Sequence, residues 1–371
     1  MAIYMNEFSR MIWAKDTINR QPRRYDIISH MTRICITPFV EQTGGMTSFR
    51  LKFEQGLKTR SIEVTYDLDD KFDAVLVIAG TRFIRDLSRI RKRGIRVVQR
   101  LDGVNWVHRV KWSGVRYTVR AVYGNMVLAL IRNRFTDRVI YQSHFIRKWW
   151  EDWYGVAKSP ANVIHNGIDL NAYTHNGDHA RSNNTFQMLL LEANLTDGLN
   201  SGLFHAVSVA EKLAEKYPMK VVVAGNVDEA AGKKILSMTA SKKDLEVEFL
   251  GTIPHAEIPR LARSSHLMFC AEVNPPCPNS VIEALACGLP VIGFDTGSLK
   301  ELVGEEAGVI VPYGANPWKL ELPDVNSLAA SAESVLENQD TFRAAARRRA
   351  EEKFGLDKMV EAYLSVLLGG G

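Results

Sequence analysis

Four cysteines in 371 residues are too few for a disulfide scaffold, and Cys35, Cys270, Cys277 and Cys287 form no CxxC pair. A stapled secreted domain is thereby excluded, and a reducing cytoplasm is expected. Cys270 ends an apolar run and Cys287 closes a helical one, which suits small core residues better than metal ligands. Long hydrophobic runs are also missing. The most apolar stretch, Ala121 to Ile131, is too short to cross a hydrocarbon core of about 30 Å. The start, with Glu7, Arg10, Lys15 and Asp16, shows no apolar run followed by a small-residue cleavage site, so no secretory leader is expected. No internal sequence repeat is obvious, and no nucleic-acid recognition motif or stacking array accompanies the basic residues.

With 46% apolar and 24% charged residues, the composition is that of a globular protein, and the length suits two domains. Short β-branched runs alternate with amphipathic stretches from Met31 onward, which predicts an α/β class with parallel sheets covered by helices on both faces. Strands are expected at RICITPF, SIEVTY, DAVLVIAG, IRVVQRL and RVIYQS in the first half. QMLLLEA, KVVVAG, EVEFLG, HLMFC, PVIGF and GVIVPY follow in the second. The polar stretch Asn171 to Thr185 is expected to hold the hinge. The division is an extension over 1–30, expected to be loosely held or an alternative start; a first Rossmann-like domain over 31–168; a second over 169–352; and a last helix over 353–371 that returns to the first domain. Ligands of such sheets bind beyond the carboxyl ends of the strands, so two facing domains share a cleft.

The net charge of +5 is unevenly spread. Arg82 to Arg120 carries twelve Lys or Arg against Asp86 and Asp102. Such a segment attracts anionic lipid or phosphorylated ligands, and it is equally compatible with a solvated helix face. Arg91, Lys92 and Arg93, with Trp106 and Trp112, would form a docking surface for the inner membrane face; the same tryptophans read as core residues on the other view.

The most informative stretch is Asn274 to Gly293, NPPCPNSVIEALACGLPVIG. Three prolines in its first five residues forbid a helix there. Ser280 to Cys287 is a run of helix formers halted by Gly288. Asn279 or Ser280 would cap that helix, leaving amides through Val281 and the positive end of the dipole for an anion such as a phosphate. Glu283, within or just beyond the first turn, would accept hydrogen bonds from ribose hydroxyls.

This segment resembles the signature of glycosyltransferase family 4, which has the GT-B fold. Glu283 with ALACGLPVIG carries the likeness, and Gly297 with Glu301 resembles the family's later Gly-x-x-x-Glu element. The resemblance extends over 31–368. It implies that Gly44 and Gly45 form the loop that lets backbone approach a donor phosphate, and that VIHNGIDL, from Val163 to Leu170, leads into the second domain. Asn194, the loop at Gly225 and Ile253 in FLGTI would border the nucleotide. It also implies a retaining hexosyltransferase in cell-surface polysaccharide or glycolipid synthesis, and the basic segment from Arg82 to Arg120 would place it on the inner membrane face. The co-substrate is a UDP- or GDP-sugar, the acceptor a glycan or lipid-linked glycan, and no metal or other cofactor is expected.

Three departures stand out. The first carboxylate of the family's paired-Glu motif falls on Pro275, with Glu272 nearby but out of register. The basic pair that neutralises the diphosphate falls on Asn194 and Leu199, neither of them basic. Arg82 and Arg100, at or just after strand ends, are the substitutes expected to meet the phosphates. The family's catalytic His is replaced by Asp102 in VVQRLDGVNWVH, so Asp102 or His108 is expected beside the acceptor. Each has a structural reading too, Asp102 capping a turn before Gly103 and His108 on a surface helix. The departures keep a second reading open, an enzyme-shaped protein that binds nucleotide sugar or glycan without transfer. The DLDD run, Asp67 to Asp70, is read as a solvated turn rather than a metal motif.

Overall fold

The computed structural model describes residues 31–39, 44–112, 114–195 and 201–369. Two six-stranded sheets organise them. The first contains β1 (Arg33–Thr37), β2 (Glu63–Thr65), β3 (Ala74–Ile78), β4 (Arg96–Leu101), β5 (Arg138–Tyr141) and β6 (Ala161–Val163), ordered β2-β1-β3-β4-β5-β6. The second contains β7 (Phe186–Leu195), β8 (Met219–Val227), β9 (Leu245–Gly251), β10 (Leu267–Phe269), β11 (Val291–Phe294) and β12 (Gly308–Val311), ordered β12-β11-β10-β7-β8-β9. Every strand pair is parallel. Central strands of such sheets are covered on both faces and so read as unbroken apolar runs. AVLVI of β3 is buried at all five positions. The expected α/β class with two parallel layers is therefore borne out, and only the three-residue edge strand β6 escaped the sequence reading.

Helices α1 (Gly45–Lys58), α2 (Ile84–Lys92), α3 (Val115–Arg134) and α4 (His144–Tyr154) cover the first sheet. Around the second lie α5 (Ser201–Leu213), α6 (Glu229–Thr239), α7 (Ile258–Ser264), α8 (Asn279–Ala286), α9 (Leu299–Val303), α10 (Val325–Glu337) and α11 (Gln339–Lys353). The final helix, α12 (Leu356–Leu368), belongs to the first core. Its Val360 and Tyr363 share one buried cluster with Phe49, Phe53, Ile34 and Leu76.

The chain crosses between the sheets twice, and the crossings touch. Ile168 and Gly355 form a parallel bridge, with Ile168 N donating to Phe354 O and Leu356 N to Ile168 O, both at 2.8 Å. The polar stretch expected to be the hinge lies just beyond this point and is held to the second half. Tyr173 O accepts from Arg347, while Thr174 O and Asp178 O accept from Arg263. All four cysteines are buried and free, which includes Cys270 and Cys287, the two expected in the core.

Packing of α12 depends on the absent side chain of Gly56, because a methyl there would meet Val360 Cγ2 at 2.4 Å. The β-branched valine has little rotamer freedom with which to withdraw. Gly56→Val is expected to lower stability by about 1–3 kcal/mol through overpacking, measured by urea unfolding followed by circular dichroism.

Candidate active site

α1 of the first half and α8 of the second begin close together at the cleft. α1 begins after Gly44, whose φ of 151° and extended ψ suit glycine alone, and Gly45 approaches Asn279 Nδ2. α8 begins at Asn279, and the residue before it is Pro278, so neither Asn279 nor Ser280 is the cap. Proline at that position has no side-chain acceptor to turn back on the first amides. Neither helix has a side-chain cap or an acidic residue in its first turn. Two sets of amide donors therefore converge at the positive ends of two dipoles. Val281 is fully buried, and Asn279 Oδ1 lies buried without a partner.

The proline-rich turn before α8 is clasped by the first domain. Ser143 Oγ donates to Pro276 O at 2.7 Å, and Asn166 Nδ2 donates to Cys277 O at 2.9 Å. Arg100 braces this clasp. It is 1% exposed, donates to Asn166 Oδ1 at 2.9 Å, and stacks 3.9 Å over the Phe49 ring. Its guanidinium is thus already engaged in the first domain's interior. Arg82 is exposed on the turn after β3 with its guanidinium over Phe83, and it has no ion pair among the described residues. The cation found in the cleft is Lys52, whose Nζ lies 3.3 Å from Glu283 Oε1, with Glu283 only 3% exposed. Sequence reasoning missed Lys52. Its spacing of seven from Gly45 puts both on one face of α1, but the partner in the other half is not readable from the chain.

A second clasp is made by Glu301 on α9. Its Oε1 accepts from His144 N at 2.9 Å and pairs with His165 Nε2 at 2.7 Å, while Oε2 accepts from Phe145 N at 3.3 Å. Burial alone would raise the Glu301 carboxyl. The His165 hydrogen bond and charge and the two amides outweigh burial and hold it below its ordinary value.

Beyond the turn, three carboxylates crowd the carboxyl ends of both sheets. Asp102 follows β4 and is raised by burial, against the pull of Arg100. Glu272 follows β10 and is raised by burial and by Asp102, although its side chain keeps contact with the water of the cleft. Glu192, inside β7, is pushed up to about 8 by burial and by Glu272, and its Oε1 has no partner. A register shift at Leu191/Asn194 in β7 places Glu192 here, and Gly225 packs so closely that a methyl would fall 1.7 Å from Glu192 O. Pro275 is therefore not the end of the acidic story. Glu272, three residues before Pro275, carries a carboxylate outside the family's register.

The remaining expected residues are dispersed. Asn194 is exposed at the end of β7 and accepts from Asn226 Nδ2 at 3.4 Å. Ile253 packs partly buried against the cluster containing Val281 and Ile282. His108 sits on a single 3-10 turn, Val107–Arg109, rather than a surface helix; its Nδ1 is buried without a partner, and burial and Arg109 lower its pKa. Leu199 lies outside the described residues. The DLDD run forms a local turn, Asp69 N donating to Asp67 Oδ1 and Thr65 Oγ1 to Asp70 Oδ2. Among the described residues, no group of three His, Cys, Asp or Glu is arranged to hold a metal ion.

A carboxyl raised by folding binds its proton more tightly in the native state than in the unfolded chain. Its contribution is complete below about pH 4.5 and is lost as pH climbs through about 8. The melting temperature is expected to fall across that window. Glu192→Gln, which removes the titration, is expected to flatten the fall when melting is followed at about pH 5, 7 and 9.

Comparison with known proteins adds to this geometry. Residues 44–172 match the family described as Glycosyltransferase Family 4, and residues 198–353 match the family described as Glycosyl transferases group 1. An uncharacterized glycosyltransferase of Methanocaldococcus jannaschii is 24% identical over 225 residues, which cover 57% of this chain. The chain spans about half the length of that relative, 55%. Among solved structures, sucrose-phosphate synthase of Thermosynechococcus elongatus is similar with a TM-score of 0.66 at 15% identity, over 90% of this chain and 98% of that one. HepE of Anabaena in complex with UDP-glucose gives a TM-score of 0.62 at 16% identity, over 91% and 99%. These likenesses show the two-domain architecture of the GT-B fold.

Proposed function

Since the chain belongs to the family-4-like glycosyltransferases of the GT-B fold, we propose that it moves a hexosyl unit from a nucleotide sugar to a glycan or lipid-linked acceptor. The observation that carries this reading is the meeting of two uncapped helix starts, at Gly45 and Asn279, in a cleft between the domains. A leaving diphosphate is an anion that such amides stabilise without reorganising. Glu283, steadied by Lys52, is the acceptor for ribose hydroxyls, and Lys52 supplies a positive charge in a site whose usual basic pair is missing. Asp102 stands on the first-domain side, where a general base or acceptor-orienting group is needed. The donor is a UDP- or GDP-sugar; one structural neighbour is described in complex with UDP-glucose. Transfer is with retention and without a metal, in a cytoplasmic step of cell-surface polysaccharide or glycolipid synthesis.

An anionic membrane surface completes the proposal. No helix among the described residues is long and apolar enough to cross a membrane. α3 instead presents Val115, Val119, Val122, Met126 and Leu130 to solvent along one stripe, beside Arg116 and Arg120, with Trp112 76% exposed just before it. The sequence from Gly103 to Thr136 contains no acidic residue. An apolar stripe flanked by arginines suits the interface of an anionic bilayer. Of the docking residues expected from sequence, Lys92, Arg93 and Trp112 are exposed, whereas Arg91 is paired with Asp137 at 2.7 Å and Trp106 is buried against Trp318.

A second reading, nucleotide-sugar binding without transfer, is favoured by Pro275 and Asn194 in place of charged residues. Incubation of the purified protein with a panel of UDP- and GDP-sugars, with nucleotide release and product anomeric configuration followed by NMR, separates the two. Release is expected; binding by calorimetry with no release from any donor supports the second reading. Asn279→Asp puts a carboxylate where the phosphate charge should lie and is expected to weaken donor binding about tenfold or more with little change in melting temperature. In flotation with vesicles containing phosphatidylglycerol, the protein is expected to rise with the lipid. Val119→Glu with Met126→Glu is expected to abolish that while leaving nucleotide binding intact.

A further inference from the structure

On another side of the domain boundary, a cavity of about 390 Å³ is lined mainly by Trp106, Arg109, Phe145, Trp149, Trp153 and Trp318. The first five come from the turn after β4 and from α4. Trp318 reaches in from the second half on a 3-10 turn, Pro317–Lys319, its ring centroid 4.8 Å from that of Trp149 and 5.2 Å from that of Trp106. Arg109 lies 3.8 Å over the Trp153 ring, and Lys148 and Asp152 pair at 2.9 Å on the exposed rim.

The chemistry of the walls narrows the occupant. The walls are indole and phenyl faces, and Arg109, Lys148 and Asp152 stand among them. A hydrocarbon tail would give those charged groups no further partner, and a phosphate would face the Asp152 carboxylate. A pyranose suits both features: an apolar C–H face for the indole rings and a girdle of hydroxyls that accept from Arg109 and Lys148 and donate to Asp152. Aromatic walls with a few convergent polar groups at this volume are typical of small-ligand sites.

We propose that this cavity binds one pyranose unit of the acceptor saccharide, an inference that rests on the transferase reading above. The wall adjoins the cleft. A methyl on Gly103 would lie 3.3 Å from Trp149 Cζ3 and 4.0 Å from Pro276 Cβ, and Gly103 directly follows Asp102. A saccharide anchored in the cavity therefore extends past Gly103 toward the acidic cluster. Because Trp318 supplies one wall, the bound sugar also ties the second half to the first.

The test uses the full chain without nucleotide sugar. Methyl α-D-glucopyranoside, methyl α-D-mannopyranoside and methyl N-acetyl-β-D-glucosaminide are titrated by saturation-transfer NMR, with decyl phosphate as the lipid-like competitor. Saturable binding of at least one glycoside is expected, with Kd of the order of mM. Trp149 and Trp106 are too buried for safe replacement, so the partly exposed Trp153→Ala and the rim variant Asp152→Asn serve. Each should weaken glycoside binding about fivefold or more without changing nucleotide binding, and Asp152→Asn, on the exposed rim, should do so without lowering the melting temperature. Absence of saturable binding by every glycoside, unchanged affinity in Trp153→Ala, or tighter binding of decyl phosphate at the same rings would overturn the proposal. Glycoside binding without any sugar transfer leaves the cavity assignment standing and removes the transferase reading; transfer without glycoside binding does the reverse.

Discussion

The arrangement of the two sheets depends on carboxylate contacts made across the domain boundary, and Glu301 makes the most concentrated of them. One side chain satisfies two amides at the start of α4 and one imidazole beyond β6. Hydrogen bonds to a charged group contribute about 1.5–3 kcal/mol each in such settings, more than the weak surface pairs elsewhere on the molecule. α9, which carries Glu301, is itself fixed by Arg349 of α11, whose guanidinium donates to Glu301 O and Leu302 O. Ser143 and Asn166, which hold the proline-rich turn, are the sequence neighbours of His144 and His165, which hold Glu301, so the same two segments of the first domain fix both α9 and the turn that leads into α8.

That geometry explains how a site can lose familiar charges and still be built for an anion. Helix starts act through backbone groups, so their field survives substitutions that remove arginine or lysine side chains. Proline before α8 and glycine before α1 reinforce this, because neither brings an acceptor to quench the amides. The acidic cluster on the opposite wall is the counterpart. Burial raises Asp102, Glu192 and Glu272 alike, and in addition Asp102 raises Glu272 and Glu272 raises Glu192.

Much of this was legible in the chain. The parallel sheets followed from short β-branched runs alternating with amphipathic stretches, and the proline-rich turn with ALACG announced a loop leading into a helix start. What could not be read were contacts between residues distant in sequence. Lys52 looked like one more polar position on α1 until α8 brought Glu283 beside it. Arg100 looked available to phosphate because it ends a strand, whereas Phe49 and Asn166, on other elements, claim it. The exact cap of α8 was missed by one residue because Asn279 is the better capping residue by type, yet the fixed φ of Pro278 already sets the entry. Trp106 read equally as membrane anchor or core, and Trp318, over two hundred residues away, decided between them.

The placement of α12 has a consequence for biosynthesis. Its residues are translated after the whole of the second sheet, yet Val360 and Tyr363 sit in the core beside Phe49 and Phe53. On the ribosome, therefore, the half encoded earlier waits with part of its apolar surface uncovered while the half encoded later can already condense. Such a delay exposes Phe49, Phe53 and Leu57 to wrong partners. Nascent-chain folding should run in the reverse of domain order, with chaperone demand concentrated on the earlier-made domain.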